Sequence, residues 1–228
     1  MPPTDTLAAP AAAGPLAALL AGRPPLIAIL QVDRLEDALP LLDTLEAAGL
    51  PAIEVTLRSP QALGAIEVMR RRADRAVIGA GTLTRPAQFA QAREAGARFL
   101  VSPGLTPGLA QAAAAAGLPF LPGAVTPSEV LAAREHGFTE LKFFPAELQG
   151  GPAWLRHMQP LFPEVRFCPT GGVSTANLQD YRALPNVFAV GGVFMAPAEA
   201  IRDRDWPRIG QLARDAVRAA EAAGAPPA

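Results

Sequence analysis

One lysine stands in a stretch that should form a buried strand. Lys142 is the only lysine in this 228-residue chain, and it lies between Leu141 and Phe143. Arginine keeps its charge under almost all conditions, whereas burial can make a lysine amine neutral. The chemistry that requires such an amine is Schiff-base formation with a carbonyl substrate. The alternative is a lysine at a strand end that extends its amine to water.

A second candidate is Glu54, a carboxylate between Ile53 and Val55 in an otherwise apolar stretch. Carboxylates are rarely buried without a partner. Glu54 is therefore interpreted either as a structural ion pair with Lys142 or Arg58, or as a general acid/base beside an imine.

Three further side chains follow strand ends and suit an acidic substrate. Arg58 has the planar fork that binds a carboxylate, and the alternative is a solvated surface arginine. Thr82 and Thr170 follow tight turns, where each is either a ligand contact or a helix cap.

Two glycine pairs follow the last two predicted strands. Gly171-Gly172 precedes a helix expected to begin near Ser174, and Gly191-Gly192 follows the eighth strand. Exposed amides in these two loops match the recurrent phosphate site of (β/α)8 barrels. Gly171, Gly172 and Gly192 are therefore candidate phosphate-binding residues.

Other chemistries lack the residues they need. The two histidines, His136 and His157, both fall in predicted helices, and no cluster at the strand ends has metal-ligand spacing. Neither histidine is placed to act as the base of a catalytic triad. Cys168 is interpreted as a small buried hydrophobic residue. We therefore expect no metal.

The elements that must position these residues alternate along the chain. Short apolar runs bounded by Gly, Pro or polar residues predict parallel strands covered on both faces. They are Leu26–Leu30, Ala52–Val55, Ala76–Ala80, Phe99–Val101, Pro119–Leu121, Glu140–Phe144, Val165–Cys168 and Val187–Val190.

Segments with helical spacing of apolar residues separate these runs, and several begin with a proline behind a capping residue. They are Leu35–Ala48, Pro60–Arg72, Pro86–Ala95, Pro107–Ala116, Pro127–His136, Pro152–Leu161, Thr175–Leu184 and a final helix at Trp206–Ala222. Thr126 and Glu129 have the spacing of a capping box.

Eight strand–helix units predict an α/β fold of the (β/α)8 TIM-barrel type with a short N-terminal helix. A doubly wound open sheet is the alternative, but the first strand–helix junction, residues 31–34, has no glycine-rich turn. Residues 1–22 are expected to form an Ala/Pro-rich segment, loose up to about Gly14, with a short helix at Leu16–Ala21. Residues 23–222 are expected to form one barrel domain, and residues 223–228 a flexible tail.

Composition limits the partners. The net charge is −1 and 18% of residues are charged, which gives no basic patch for nucleic acid or a membrane surface. No apolar run is long enough to span a bilayer, and the first basic residue is Arg23, so no secretory signal is expected. The single cysteine fits a reducing compartment. These features predict a soluble cytoplasmic protein.

Five motifs carry a resemblance to a known family. They are Glu54-Val-Thr-Leu-Arg58, Gly79-Ala-Gly-Thr82, Ser102-Pro-Gly-Leu105, Lys142-Phe-Phe-Pro-Ala-Glu147 and Phe167-Cys-Pro-Thr-Gly-Gly172. From about Leu26 to Ala216 the chain resembles the class I aldolases of 2-keto-3-deoxy-6-phosphogluconate (KDPG) and 4-hydroxy-2-oxoglutarate (KHG).

The resemblance implies a role for each candidate residue. Lys142 would form the Schiff base and Glu54 would move the protons. Arg58 and Thr82 would hold the pyruvate carboxylate, and Thr170 would contact the substrate and help to set its stereochemistry. The resemblance also implies a keto-acid substrate, a homotrimer and no cofactor.

The chain departs from the family pattern at Val193. Relatives usually carry a phosphate-binding serine there, and valine cannot donate a hydrogen bond. This favours, as an alternative, a substrate such as KHG or the 6-phosphogalactonate epimer. Alternatives of other classes are a non-covalent barrel isomerase, with Lys142 as a charge stabiliser, and a non-catalytic barrel that senses a phosphosugar.

Overall fold

The computed structural model describes residues 14–222 of the chain. The loose start and flexible tail predicted from the sequence therefore lie almost entirely outside the described residues. Within them, eight parallel strands alternate with helices. The strands are β1 Leu26–Leu30, β2 Ala52–Thr56, β3 Val77–Gly81, β4 Leu100–Val101, β5 Phe120–Leu121, β6 Glu140–Phe143, β7 Arg166–Pro169 and β8 Val190–Gly192.

The helices surround the strands, and short 3-10 turns at Leu35–Asp37 and Glu147–Gln149 interrupt the connections. The helices are α1 Pro15–Leu19, α2 Ala38–Ala47, α3 Ala62–Arg72, α4 Ala87–Glu94, α5 Pro107–Ala116, α6 Pro127–Glu135, α7 Gly151–Met158, α8 Leu178–Arg182, α9 Ala198–Arg202 and α10 Trp206–Ala222. Helix α6 begins with the predicted capping box, in which Thr126 and Glu129 satisfy each other's backbone N–H groups.

The strands follow one another around a closed barrel in chain order. Strands β5, β4, β3, β2, β1 and β8 form one sheet, and β6 pairs with β7. Single bridges join the two sheets at both junctions, Gly123 to Lys142 and Thr170 to Gly191. A doubly wound sheet reverses its strand order at a switch point, and this chain does not. The predicted (β/α)8 barrel is confirmed.

Helix α1 covers the end of the barrel where the strands begin. Leu16 of this helix and Leu20, which follows its last residue, are buried and pack with Ile27 and Phe99 inside the barrel. Glu140, at the start of β6, accepts hydrogen bonds from the backbone N–H groups of Leu16 and Ala17 at 2.8 and 3.0 Å. This arrangement leaves the opposite end, where the strands finish, open to solvent. The larger apolar core lies between the strands and the outer helices.

Two predicted elements were misplaced near the end of the chain. The eighth strand was predicted at Val187–Val190, but β8 begins at Val190 and contains both glycines that were assigned to a loop. A Cβ on Gly191 would lie 2.7 Å from the Thr170 hydroxyl oxygen, so only glycine allows the strand to approach β7 this closely. Helix α9, which follows this strand, was not predicted.

The helix expected to begin near Ser174 begins at Leu178 instead. The Ser174 N–H donates to the side-chain oxygen of Asn177 at 2.8 Å, which forms a turn before the helix. The Gly171-Gly172 loop therefore does not lie at a helix N-terminus, and that part of the argument for a phosphate site was wrong.

Candidate active site

A cavity of about 360 Å³ opens at the end of the barrel where the strands finish. It lies where the active sites of (β/α)8 barrels are found. The structure brings all eight site residues predicted from the sequence into its lining. They are Glu54, Arg58, Thr82, Lys142, Thr170, Gly171, Gly172 and Gly192. Five further lining residues were not singled out from the sequence: Ile29, Thr56, Pro103, Phe144 and Val173. The lining also contains Val193, the position at which the chain departs from the family pattern.

Lys142 and Glu54 meet at the bottom of this cavity. The Lys142 Nζ atom donates a hydrogen bond to Glu54 Oε1 at 3.3 Å. Lys142 is 7% exposed and Glu54 is 2% exposed, so little water separates or screens the pair. Both lie on strands, β6 and β2, which hold the amine and the carboxylate on a rigid frame.

Glycine at position 81 makes room for the Glu54 carboxylate. A Cβ on Gly81 would overlap this carboxyl group, since it would lie within 2.5 Å of Glu54 Cγ and Cδ. Strand β3 pairs with β2 so that Gly81 lies beside Thr56 and Gly79 beside Glu54. The Gly79–Thr82 motif thus shapes the space around the carboxylate.

Thr82 follows β3 with a left-handed backbone, at a φ of 60°. This conformation is rare for a β-branched residue and commonly marks a functional site, because it has to be held by its surroundings. Neither Thr82 nor Thr170 caps a helix, since the N-cap positions of α4 and α8 are Pro86 and Asn177. The cap interpretation is therefore wrong for both.

Arg58 and Thr170 differ in their exposure to solvent. Arg58 is exposed at the cavity rim, two residues after the end of β2. Thr170 is 5% exposed, and its hydroxyl donates to the backbone oxygen of Cys168 at 3.4 Å. The other buried hydroxyl in the lining belongs to Thr56, which donates to the Leu30 oxygen at 3.0 Å within the barrel wall.

Phe144 is a lining residue for which the sequence did hold a signal, since it belongs to the motif that begins at Lys142. The Lys142 Nζ atom lies 5.4 Å from the centroid of its ring, a distance at which a cationic amine is attracted to the aromatic face. Phe144 follows β6 directly, so its place beside the cavity mouth follows from the strand end.

The single cysteine lies next to this pair but is not a nucleophile. Cys168 on β7 is paired with Lys142 in the sheet register and is buried. Burial raises the pKa of its thiol to about 12, although the nearby Lys142 acts in the opposite direction. The thiol is therefore neutral at physiological pH and behaves as a small core residue.

Residues 14–222 show neither a candidate metal site nor a candidate membrane span. These residues contain no group of three or more His, Cys, Asp or Glu side chains that would suit a metal ion. In that part of the chain, no helix combines the length and apolar character needed to cross a membrane.

Comparison with known proteins gives one consistent family. The family model for KDPG and KHG aldolases matches residues 20–212. The KHG/KDPG aldolase of Escherichia coli K12 is 44% identical over 197 residues, covering 86% of this chain and 92% of that protein. The 2-dehydro-3-deoxy-phosphogluconate aldolase of Pseudomonas aeruginosa is 44% identical over 192 residues, covering 84% and 87%.

A solved structure extends the likeness to the backbone. The KDPG aldolase of Legionella pneumophila superimposes with a TM-score of 0.83 at 41% identity, covering 87% of this chain and 96% of that one. That crystal structure holds pyruvate captured at low pH as a covalent carbinolamine intermediate.

Proposed function

The chain belongs to the KDPG and KHG aldolase family and is thus a carbon–carbon lyase, and we propose that it reversibly cleaves KDPG to pyruvate and glyceraldehyde 3-phosphate. The single observation that carries the proposal is the buried contact between the Lys142 amine and the Glu54 carboxylate, 3.3 Å apart at the bottom of the cavity. An amine that can form an imine, next to a group that can move protons, is what this reaction needs.

The first step makes an electron sink. The Lys142 amine attacks the C2 ketone of the substrate to give a carbinolamine, which loses water and becomes an iminium ion. Glu54 is placed to exchange protons with the amine and with the departing hydroxyl, because it is the carboxylate in contact with Nζ.

The second step breaks the carbon–carbon bond. Glu54 removes the proton of the C4 hydroxyl, the C3–C4 bond breaks, and its electron pair moves into the iminium to form an enamine. The aldehyde, glyceraldehyde 3-phosphate, leaves. Glu54 then returns its proton to C3 of the enamine, and water hydrolyses the resulting imine to release pyruvate and the free Lys142 amine.

The other lining residues bind the substrate. Arg58 and Thr82 hold the carboxylate, for which a guanidinium fork and a hydroxyl are suitable donors. Thr170 contacts the hydroxyl groups of the substrate and helps to set stereochemistry. The backbone amides of Gly171 and Gly172 bind the phosphate, since N–H groups of consecutive glycines favour anions. Gly192, at the buried end of β8, lines the same cavity and completes this part of the proposed site.

Val193 supports a second candidate substrate. Its side chain is 59% exposed and lines the cavity beside Gly192, where it offers no hydrogen-bond donor. Losing one bond to a charged acceptor costs roughly 1.5–3 kcal/mol. KHG, which has no phosphate, would then compete with KDPG. The 6-phosphogalactonate epimer has the same phosphate and would lose the same bond, so it remains an alternative only through the stereochemistry that Thr170 helps to set. Measured kcat/KM values for the three substrates decide between them.

A non-covalent sugar-phosphate isomerase is the candidate of another class. It would use Glu54 as the acid/base and Lys142 only as a stabilising charge. Trapping with pyruvate and borohydride separates the two, because only the aldolase forms a covalent bond to Lys142.

We also propose that the enzyme is a cytoplasmic homotrimer with one catalytic domain at residues 23–222. Surface leucines such as Leu148 and Leu161, which are 85% and 59% exposed, offer apolar area for subunit contacts. Light scattering coupled to size exclusion measures the assembly, and a monomeric mass would contradict the trimer.

The experiment that tests the function is trapping with pyruvate and borohydride, followed by digestion and mass spectrometry. Because Lys142 is the only lysine, the N-terminal amine is the only competing primary amine. We expect the reduced pyruvate adduct on Lys142, and none there in Lys142→Arg. A folded protein without an adduct that turns over an isomer would instead identify the isomerase.

A further inference from the structure

Glu147 ends one of the recognised motifs but has no part in the proposed chemistry. Its side chain lies across the loop after β7, because a Cβ on Gly172 would come within 2.5 Å of Glu147 Cγ and 2.6 Å of its Cβ. Its carboxylate accepts a hydrogen bond from the hydroxyl of Tyr181 on α8. Glu147 therefore connects the loop after β6 with both the loop after β7 and the helix that follows.

The backbone joins the same two loops. The Ala146 N–H donates to the Thr170 oxygen at 2.8 Å, and the Glu147 N–H donates to the Gly171 oxygen at 3.1 Å. In a trans peptide the C=O and N–H of one unit point in opposite directions. The N–H groups of Gly171 and Gly172 are thus turned away from the loop after β6, and both residues line the cavity.

This loop needs support from outside. Gly171 and Gly172 have φ values of 91° and 80°. Glycine adopts positive and negative φ about equally well, so its own backbone preference does not hold the loop in this conformation. The Glu147 stem covers Gly172, while the Phe144 ring lies 3.2 Å from where a Gly171 Cβ would be. Both contacts limit the rotation of the two peptide groups.

Tyr181 in turn fixes the Glu147 carboxylate. It is the only tyrosine of the chain and its side chain is fully buried. Burial first, and then the hydrogen bond to Glu147, raise the pKa of its hydroxyl, which stays protonated as a donor. A Cβ on Gly151, the first residue of α7, would lie 3.3 Å from both Glu147 Oε1 and the Tyr181 hydroxyl.

We propose that Glu147, fixed by Tyr181, is a positioning residue that holds the Gly171 and Gly172 amides in the orientation that receives the anionic tail of the substrate. This inference rests on the proposed aldolase function, in which that tail carries the phosphate. Glu147 itself makes no bond to substrate. It acts through the shape and rigidity of the loop.

The test runs the reaction in the condensation direction with pyruvate and two aldehydes, glyceraldehyde 3-phosphate and glyceraldehyde. The ratio of their kcat/KM values measures how well the amides receive the phosphate. Glu147→Ala and Tyr181→Phe should each lower this ratio about tenfold, the order of effect of losing one hydrogen bond to a charged group. Glu147→Gln keeps the stem and an acceptor oxygen, so its ratio should stay within about threefold of that of the unaltered protein.

A second measurement reports only on Lys142 and Glu54, without the part of the site that receives the aldehyde. Exchange of the pyruvate C3 hydrogens with deuterated water requires the imine and the proton shuttle but no aldehyde. Its rate should be the same in all three variants. Glu67→Gln, which removes an exposed carboxylate paired with Arg71 on α3, serves as a control for loss of charge and should change neither quantity.

The outcomes separate the two proposals. Absence of pyruvate exchange in the unaltered protein would contradict the aldolase function itself. With exchange present, an unchanged aldehyde ratio in Tyr181→Phe and Glu147→Ala overturns the role of Glu147. Equal losses with both aldehydes, or slower exchange, also overturn it, because they indicate general structural damage. No preference for the phosphorylated aldehyde in the unaltered protein would overturn it as well.

Discussion

The absence of a side chain at Gly81 is as important for the position of Glu54 as the side chains around it. The carboxylate can lie beside the Lys142 amine only because position 81 has no Cβ. Gly81 has an ordinary strand backbone, outside the left-handed region, so its conformation does not require glycine. Glycine is required at position 81 because the Glu54 carboxylate occupies the space that a Cβ would need. A substitution at this position should therefore affect the site more than the fold.

Gly81→Ala tests this directly. The added Cβ would overlap the Glu54 carboxylate and displace it from Lys142. We expect kcat to fall by about 10² or more, approaching the effect of Glu54→Gln, because general acid/base catalysis contributes about 10²–10⁴. Destabilisation should stay near 1–3 kcal/mol, the usual cost of overpacking. Steady-state kinetics and thermal unfolding measure the two effects.

The matched control is Gly64→Ala on α3. A Cβ there would meet the nearest Leu35 methyl at 3.5 Å, an ordinary contact distance. Since alanine is favoured over glycine in a helix, this variant should keep full activity and gain about 0.5–1 kcal/mol. Wild-type kcat in Gly81→Ala would show that Glu54 does not need its observed position.

At the scale of elements, the two ends of the barrel are held by different contacts. Loops after β6 and β7 are joined at the open end, whereas α1 is attached at the closed end through one buried carboxylate. Glu140 is 3% exposed and bonds two N–H groups of α1, and it also pairs with Arg166 on β7 at 3.1 Å. A helix of five residues is not stable alone, so these contacts hold it in place.

Glu140→Ala should therefore destabilise the fold without changing the chemistry. The change leaves two backbone N–H groups of α1 without this partner, at about 1–3 kcal/mol for each one that stays buried. It also removes the partly buried pair with Arg166, whose side chain is 21% exposed. Urea denaturation measures the loss, and kcat well below the melting temperature should be unchanged. Glu67→Ala, which breaks an exposed pair with Arg71, should cost less than about 1 kcal/mol. A similar small loss in Glu140→Ala would mean that the buried contact contributes little.

At the scale of the whole molecule, folding and protonation are linked through the barrel interior. Cys168 has a pKa raised by burial from 9.0 to about 12, so the folded protein keeps the thiol proton that the unfolded chain releases. The stability from this group is fully present below pH 9 and is lost as the pH rises towards 12. The buried Tyr181 hydroxyl, with its raised pKa, adds an effect of the same sign at higher pH.

The measurable consequence is a fall in the free energy of unfolding at alkaline pH. Its slope from Cys168 should approach ~1.4 kcal/mol per pH unit between about pH 9 and 12. Cys168→Ala should remove most of this slope near pH 9–10, whatever its effect at pH 7. Urea unfolding midpoints at several pH values provide the measurement. Equal slopes in the two proteins would show that the thiol is not protected by the fold.

Much of this fold can be read from the sequence, because the signals that begin and end helices and strands are local. Proline and threonine caps located α5 to the residue and placed the start of α6, and the apolar run Leu26–Leu30 is β1 as predicted. The single lysine and the polar residues at the predicted strand ends gave eight candidate site residues, and all eight line the cavity. The barrel itself followed from the repeat of eight units.

Tertiary structure alone decided what these residues touch. Glu54 and Lys142 are separated by 88 positions in the chain. Their contact depends on closure of the barrel and not on the residues adjacent to either of them in the sequence. The space beside Gly81, the glycines within β8 and the Glu147–Tyr181 pair were equally hidden, because each depends on a side chain from a distant element. Local propensity places an element along the chain, whereas distances between elements follow from how all of them pack together.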